Sequence, residues 1–217
     1  MPAARELLLD AAFTALGARP WHGVRMVDVA AAAGVSRQTL YNEFGSKDGL
    51  ARALVRREAD AFLAGVRRCL ADTTAQGGAD AGDCCAAAAI WTLRAARANP
   101  LVRAALTGCR GERLPAAATP VVPAQRGPGG VLSVRGTPTP GALAERIRDS
   151  TIGAIGDTVR QAAPDGPYDT LRACEAAVRL TLSYVVVPAA SDEAAAEEIA
   201  RLVRVLLSSP DPTAGVR

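Results

Sequence analysis

Apolar residues recur along this chain at steps of three and four, the spacing that places side chains on one face of an α-helix. The pattern predicts helices over residues 3–17, 47–71, 83–98, 101–106, 142–163 and 171–188, and one that begins after Ser191. Pro100, Pro140 and Pro167 are interpreted as residues that interrupt helices. The single β-like run, residues 185–187, stands at a helix end. The sequence therefore predicts an all-α fold.

Residues 27–50, VDVAAAAGVSRQTLYNEFGSKDGL, contain two further short helices. Gly34 is expected to make the turn between them, because glycine tolerates a positive φ. Ser36 and Ser46 stand where a hydroxyl can cap the helix that follows. Two short helices joined by a tight glycine turn form a helix-turn-helix, the unit that places its second helix in the major groove of DNA.

The same periodicity predicts which side chains face the core. In the amino-terminal helices the inward residues are expected to be Leu8, Leu9, Ala12, Phe13, Leu16, Met26, Val29, Ala30, Ala33, Leu40 and Phe44. In the last helix they are expected to be Ala195, Ile199, Leu202 and Leu206.

These elements predict two domains. Residues 1–50 form a three-helix DNA-binding domain, and the helix over 47–71 leads out of it. Residues 72–217 form a larger helical domain. Within it, 13 of the 34 residues from 108 to 141 are Gly or Pro, so we predict a long loop there.

Charge placement supports a nucleic-acid partner for the first domain only. Residues 1–68 carry ten basic and seven acidic side chains, so they hold the whole +3 net charge of the chain. The amino end is charged, and no run of 18 apolar residues lacks charge, so we expect no membrane span and a cytoplasmic protein.

Candidate chemistry beyond DNA binding is sparse. The five cysteines (Cys69, Cys84, Cys85, Cys109 and Cys174) lack metal-ligand spacing, and there is one histidine, so we predict no metal and no cofactor. The cysteines are interpreted as small apolar side chains in a reducing compartment, with a redox sensor as the alternative. No nucleophile–base arrangement is present, so we predict no catalytic residues and no enzyme.

The stretch over residues 27–50 resembles the amino-terminal domain of the tetracycline-repressor (TetR) family of bacterial transcription regulators. The shared pattern, D-[VI]-A-x-x-A-G-V-S-x-x-T-L-Y-x-x-F-x-[SN]-K-x-x-L, is long and free of gaps, and the resemblance covers about residues 5–54. It implies a homodimer whose carboxy-terminal domain carries an effector pocket and the dimer interface, formed by the last two helices.

The resemblance also implies a set of DNA-contacting residues: Arg25, Ser36, Arg37, Gln38, Thr39, Tyr41, Asn42 and Lys47. Their chemistry agrees, because Arg pairs with guanine, Gln and Asn pair with adenine, and hydroxyls and Lys bind phosphate. The alternatives are structural: Tyr41 as part of the core, Gln38 and Asn42 as solvated residues, and Lys47 as a surface charge.

Two residues depart from the family pattern. Arg25 replaces a usual Ser or Thr cap of the second helix, so that cap is weaker and Arg25 becomes a candidate phosphate contact. Glu43 stands where the family often has His or an aromatic residue. Its carboxylate would be repelled by phosphate, although it could bond cytosine N4 or pair with a nearby Arg.

The sequence thus indicates a DNA-binding transcription regulator, which we expect to be a ligand-responsive repressor that binds a pseudo-palindromic operator as a homodimer. The alternative is a helical small-molecule-binding or interaction protein whose amino-terminal domain does not recognise specific DNA. A small apolar effector is the expected ligand. The residues that could line its pocket, although a core role is favoured for each, are Ile90, Trp91, Ile152, Ile155 and Tyr184.

Overall fold

The computed structural model describes residues 4–109, 114–115, 137–160 and 167–208. Over these ranges all regular structure is helical, which confirms the all-α prediction. A short 3-10 helix, Trp21–Gly23, follows the first of the α-helices, which are α1 (Ala4–Ala18), α2 (Met26–Ala32), α3 (Arg37–Phe44), α4 (Lys47–Ala75), α5 (Ala81–Ala98), α6 (Pro100–Thr107), α7 (Pro140–Arg160), α8 (Pro167–Val186) and α9 (Asp192–Ser208).

The chain packs as two compact units. The first, here called the head, is the described part of Met1–Ala59 and Gly108–Pro138, and the second, the body, is the described part of Asp60–Thr107 and Thr139–Arg217. The division falls inside α4, whereas the sequence suggested domains of 1–50 and 72–217. The assignment of separate functions to those two ranges stays a prediction.

Helices α1 to α3 and the start of α4 build the core of the head. As predicted, the side chains of α1 that face inward include Leu8, Leu9, Ala12 and Leu16, and Leu40 of α3 is fully buried. Val29 and Ala30 of α2 are also buried. The predicted core residues Phe13, Met26, Ala33 and Phe44 are only half-buried, because they lie where the apolar stripe meets the surface.

The turns of the head follow the local rules that the sequence suggested. Gly34 has a φ of 67°, and the Ser36 hydroxyl accepts a hydrogen bond from the Thr39 amide at 3.0 Å. The Ser46 hydroxyl accepts from the Gly49 amide at 3.1 Å. These contacts confirm the predicted turn before α3 and the caps at the starts of α3 and α4.

In the body, α5 packs against α6, α7, α8 and α9. It begins two residues earlier than predicted, because Asp80 and Asp83 form a reciprocal capping box that the sequence analysis missed. Helix α4 runs four residues beyond the predicted end at 71. It stops before Gly77 and Gly78, which have φ angles of 72° and 76°.

Three helices of the body begin at a proline that the sequence analysis treated as a helix breaker. They are α6 at Pro100, α7 at Pro140 and α8 at Pro167, whereas the predicted starts were Leu101, Ala142 and Leu171. Proline suits the first position of a helix because the amide it lacks has no partner there. The predicted loop therefore ends before Pro140, and its residues 110–113 and 116–136 lie outside the described part.

At the carboxy-terminal end, α9 begins after Ser191, whose hydroxyl accepts from the Ala194 amide at 3.0 Å, as predicted. Ala195 and Ile199 are buried, but the prediction for Leu206 was wrong, since its side chain is 39% exposed. Among the described helices, none is both long and apolar enough to cross a membrane.

Candidate DNA-binding surface

Helix α3 presents a polar face to solvent. Leu40 turns inward and is fully buried, while Arg37, Gln38, Tyr41 and Asn42 are exposed. The Tyr41 side chain is 48% exposed, so the alternative in which its ring completes the core does not fit the structure. Residues spaced three and four apart share one helix face, so this face combines a guanidinium, two carboxamides and a phenol.

The two carboxamides of α3 are already aligned with each other. Gln38 Nε2 donates to Asn42 Oδ1 at 2.9 Å. This bond uses one donor and one acceptor, which leaves the Gln38 carbonyl and the Asn42 amide group with hydrogen-bonding capacity. A neighbouring acceptor and donor are what an adenine edge requires in the major groove.

Ser36 and Thr39 form the amino end of this surface. Their hydroxyl oxygens lie 2.9 Å apart, and Ser36 also caps α3. Thr39 is half-buried, so its hydroxyl supports the cap while part of the side chain faces solvent. The structure gives both residues a positioning role in the free protein, and their contact with DNA stays a prediction.

Lys47, at the start of α4, is held against the 3-10 helix. Its ammonium donates to the His22 carbonyl oxygen at 3.0 Å and lies 5.6 Å from the centroid of the buried Trp21 ring. Lys47 is therefore not an ordinary mobile surface charge. An ammonium has three donors, so two remain for a phosphate beside the helix amino terminus.

Arg25 caps α2 with its backbone only, as the sequence suggested. Its guanidinium instead pairs with Asp28 through two hydrogen bonds of 3.0 and 2.9 Å, and Arg19 contacts the same carboxylate at 3.3 Å. The hydrogen bond from Arg25 lowers the pKa of Asp28 below its ordinary value. One carboxylate thus sits between two arginines, which keeps a positive excess at this edge.

Glu43 is paired with an arginine, one of the three roles considered for it. Arg5 Nη1 lies 3.4 Å from both Glu43 Oε2 and the Glu43 carbonyl oxygen, and the guanidinium stacks 4.7 Å above the Phe44 ring. Arg5 was not among the predicted site residues, because its partner lies 38 residues away. The charge pattern alone contains no signal for this pairing.

Comparison with known proteins identifies the relatives of this chain. The model of the amino-terminal domain of bacterial regulatory proteins, tetR family, matches residues 8–54. The model of a bacterial tetracyclin repressor carboxy-terminal domain matches residues 143–204. The chain belongs to the TetR family.

Individual relatives of this TetR-family chain are distant. The HTH-type transcriptional regulator AlkX of Mycobacterium tuberculosis is 47% identical over 66 residues, which is 30% of this chain and 31% of that protein. The chain therefore matches about a third of the length of this curated relative. The matched proteins are regulators rather than enzymes, in agreement with the sequence analysis.

Solved structures share the fold. The repressor AlkX from Dietzia sp. has a TM-score of 0.52 and 20% identity, covering 94% of this chain and 95% of its own. The regulator FadR from Bacillus subtilis, solved with stearoyl-CoA, has a TM-score of 0.52 and 12% identity, covering 94% of this chain and 97% of its own. At these identities the likeness establishes the fold and nothing further.

The body of this TetR-family protein does not gather the five predicted effector residues around one described cavity. Ile90 lines an open cleft between α5 and α9, and Ile155 lines a second cleft beside Gly77. Trp91 packs on Gly65 and donates to the Phe62 carbonyl at 3.1 Å, whereas Tyr184 donates to Glu198 at 2.5 Å. Ile152 is half-buried on α7.

The structure instead shows a narrow interior space between α5, α7 and α8, here called the seam. It has about 10 Å³ of room for the centre of a water molecule, roughly enough for one water. Its walls are apolar except for thiols and hydroxyls, and they comprise Cys85, Ala88, Ala89, Thr92, Ile147, Thr151, Cys174, Ala177, Val178, Thr181 and Leu182. The seam was not predicted from the sequence, because its residues come from three separate helices.

The three seam threonines are buried, and each is bonded within its own helix. Thr92 donates to Ala88 O at 2.7 Å, Thr151 to Ile147 O at 2.9 Å and Thr181 to Ala177 O at 2.8 Å. Each hydroxyl oxygen keeps acceptor capacity after this donation. The seam is thus an apolar slot with three built-in acceptors.

Proposed function

We propose that this protein is a transcription repressor that binds a pseudo-palindromic operator as a homodimer and releases it when a small apolar effector enters the body. The observation that carries the proposal is the exposed face of α3, where Arg37, Gln38, Tyr41 and Asn42 stand on a helix capped by Ser36. Such a face supplies donors and acceptors for base edges in the major groove.

Lys47 and Arg25, here called the rim of the head, supply phosphate contacts. Lys47 is held at the start of α4 with donors to spare, and Arg25 remains 72% exposed although it is paired with Asp28. Contacts of this kind set position and affinity, while α3 determines which sequence is bound. Operator DNA is therefore the proposed partner of the head.

The test is a gel-shift titration on the DNA upstream of the gene for this protein, at several salt concentrations and against unrelated competitor. We expect Gln38→Ala to weaken specific binding roughly ten- to a hundredfold while competitor binding changes little, because one base contact contributes about 1–3 kcal/mol. Arg103→Ala, an exposed arginine of the body, is the matched control and should bind like wild type.

The outcome that would overturn the proposal is equal affinity for all DNA tested. The protein would then be the helical interaction or small-molecule-binding protein considered from the sequence. In that case Gln38→Ala and Tyr41→Ala would leave cellular transcript levels unchanged. The pairing of Glu43 with Arg5 weakens the main argument for that alternative, because the guanidinium offsets the negative charge of the carboxylate.

The homodimer is proposed to form through α8 and α9. Five of the seven large exposed apolar side chains in the described part lie there or directly after α8, namely Leu171, Val186, Val187, Val205 and Leu206. Exposed apolar side chains concentrated on two neighbouring helices are typical of an interface. In a two-fold dimer each protomer buries the same patch, which places two heads on one operator.

Light scattering tests this interface. Wild type should have twice the 22.3 kDa mass of the chain, and Val205→Arg with Leu206→Arg should shift the population to monomer. Leu7→Arg changes another exposed apolar residue, on α1, and should leave the dimer intact. A dimer that tolerates the α9 substitutions would place the interface elsewhere.

The effector is proposed to enter by opening the seam. Its present volume admits about one water, so a ligand must separate α5, α7 and α8, and that movement is how binding would reach the heads. A coupling of about 1–3 kcal/mol between effector and operator would suffice. A regulator with this fold was solved with stearoyl-CoA, so saturated acyl chains are the first probes to try.

The test is release of operator DNA by a series of fatty acids and their CoA esters. Ala177→Leu occupies the space that an effector would open, so the acyl ligands should release no further operator from this variant, and its operator affinity is measured first without ligand. Ala86→Leu, on α5 but lining the open cleft rather than the seam, is the control. Equal release from wild type and Ala177→Leu would move the effector site away from the seam.

A further inference from the structure

Two of the seam residues are cysteines that face each other from different helices. Cys85 of α5 and Cys174 of α8 are buried with 4% and 1% of their surfaces exposed, and both residues line the seam. The neighbouring Cys84 lines a different cleft, with Gly77 and Ile155. The adjacent cysteines of α5 are therefore not equivalent, and only one faces a second thiol across the seam.

The pKa values of the two thiols are shifted in opposite directions. The hydrogen bond from Cys85 favours the thiolate of Cys174 and lowers its pKa, and the charge of Arg148 acts in the same direction. The same hydrogen bond, together with burial, raises the pKa of Cys85. A cysteine whose thiolate form is favoured, beside a second thiol, is the arrangement of a nucleophilic cysteine with a resolving partner.

We propose that Cys85 and Cys174 form a dithiol site that a hydroperoxide oxidises to a disulfide, joining α5 to α8 across the seam. The site takes a small two-electron oxidant, since the space beside the sulfurs admits a molecule about the size of water. The buried threonine hydroxyls at the seam could accept hydrogen bonds from such a peroxide.

The chemistry has two steps. The Cys174 thiolate attacks one oxygen of the hydroperoxide, the O–O bond breaks, and hydroxide or alkoxide leaves with the electron pair, giving a sulfenic acid. The Cys85 sulfur then attacks the sulfenic sulfur, its proton leaves with the hydroxyl as water, and an S–S bond forms. The peroxide is reduced by two electrons, and the two thiols are oxidised by two.

The consequence for regulation rests on the proposed function. A covalent bond between α5 and α8 would prevent the seam from opening. The oxidised protein would therefore keep its operator in the presence of an effector that releases the reduced protein.

The first experiment needs no DNA. The full chain with Cys69→Ala, Cys84→Ala and Cys109→Ala keeps only the two seam thiols, and circular dichroism confirms its fold. Stoichiometric hydrogen peroxide, followed by alkylation and mass spectrometry, should give a product lighter by two hydrogens that takes up no alkylating agent. Trypsin should then yield residues 69–94 linked to residues 173–179.

Matched variants identify the roles. Cys85→Ser should trap Cys174 as the sulfenic acid or its overoxidised forms, and Cys174→Ser should leave Cys85 reduced. If the triple variant does not fold, the double variant Cys69→Ala with Cys84→Ala serves, because residues 69–94 then keep Cys85 as their one cysteine. Two seam thiols that remain alkylatable after peroxide, or a Cys174 sulfinic acid without a disulfide while Cys85 is present, would overturn the proposal.

The second experiment separates this proposal from the proposed function. With a disulfide demonstrated by mass, oxidised wild type should hold operator DNA at effector concentrations that release the reduced protein, and dithiothreitol should restore release. A disulfide that forms in a chain with no specific DNA binding would sustain the dithiol site and reject the repressor. Specific DNA binding by a chain in which no disulfide forms would reject the dithiol site alone.

Discussion

The head and the body use polar groups in opposite ways. The described head buries only apolar side chains and places its donors and acceptors on the surface, as with the Gln38–Asn42 pair of α3. All four buried polar or charged side chains of the described residues belong to the body, and they are Thr92, Thr151, Thr181 and Asp192. Three of these four line the seam.

This difference indicates which substitutions should affect DNA binding and which should affect stability. The head recognises a partner that arrives from solvent, so its chemistry depends on exposed groups held by caps. The body acts through the shape of its interior, so its chemistry depends on how closely the helices pack. Surface substitutions should thus affect DNA binding in the head, and added volume should affect stability in the body.

The largest effect is expected from added volume in the body. A Cβ at Gly65 of α4 would lie 1.9 Å from Trp91 Cζ2, and that ring is held by its bond to the Phe62 carbonyl. Gly65→Ala should lower the free energy of unfolding by about 1–3 kcal/mol, measured by urea denaturation.

Its control is Gly153→Ala on α7, where a new Cβ meets nothing within 4 Å. Alanine there should stabilise by about 0.5–1 kcal/mol, because it loses less backbone entropy on folding. If Gly65→Ala lost no more stability than Gly153→Ala, the close approach of α4 to the Trp91 ring would not limit substitution at Gly65.

A change at the rim of the head should be next in size. Lys47→Gln removes one charge beside the proposed phosphate, so affinity should fall roughly tenfold at about 0.1 M salt, on operator and competitor alike. The slope of log K against log salt should decrease by about 0.9 for each head on the DNA. Arg103→Gln in the body should change neither quantity, and an unchanged slope for Lys47→Gln would restrict this residue to holding the His22 carbonyl.

A smaller effect should follow from separating Arg5 from Glu43. Arg5→Ala exposes the carboxylate at the end of α3, and operator affinity should fall about threefold to fivefold, the range of a solvent-exposed pair. Glu43→Gln in the same chain should recover most of that loss. Failure of the double variant to recover affinity would indicate that Arg5 contacts DNA directly.

The smallest effect concerns an exposed ion pair of the body. Arg204 bonds Asp80 at 2.7 Å and lowers the pKa of that carboxyl below its ordinary value of 3.8. The stabilisation is therefore present above about pH 4 and is lost as pH falls through the lowered pKa. Asp80→Asn should be slightly less stable than wild type near neutral pH, and the difference should shrink in acid.

Denaturation by urea at several pH values measures that difference. Asp72→Asn, which changes an exposed carboxylate of α4, is the control and should follow wild type throughout. A gap between Asp80→Asn and wild type that persists below about pH 3 would assign the effect to the cap of α5 rather than to the charge.

Local rules made the head predictable. The turn at Gly34 and the caps at Ser36 and Ser46 depend on residues within three positions, so a linear sequence contains their cause. The prolines at 100, 140 and 167 obey an equally local rule, but they were interpreted as helix breakers rather than first residues. The error was to apply the rule for proline inside a helix instead of the rule for proline at its first position.

The sequence alone determined the helical fold, the polar face of α3 and the family, because helix periodicity and a gap-free motif are properties of neighbouring residues. The tertiary structure was needed for Arg5 beside Glu43, for Trp91 against Gly65 and for the seam. Each of these joins residues from separate helices, and a periodic apolar stripe is the same whether it faces another helix or a cavity.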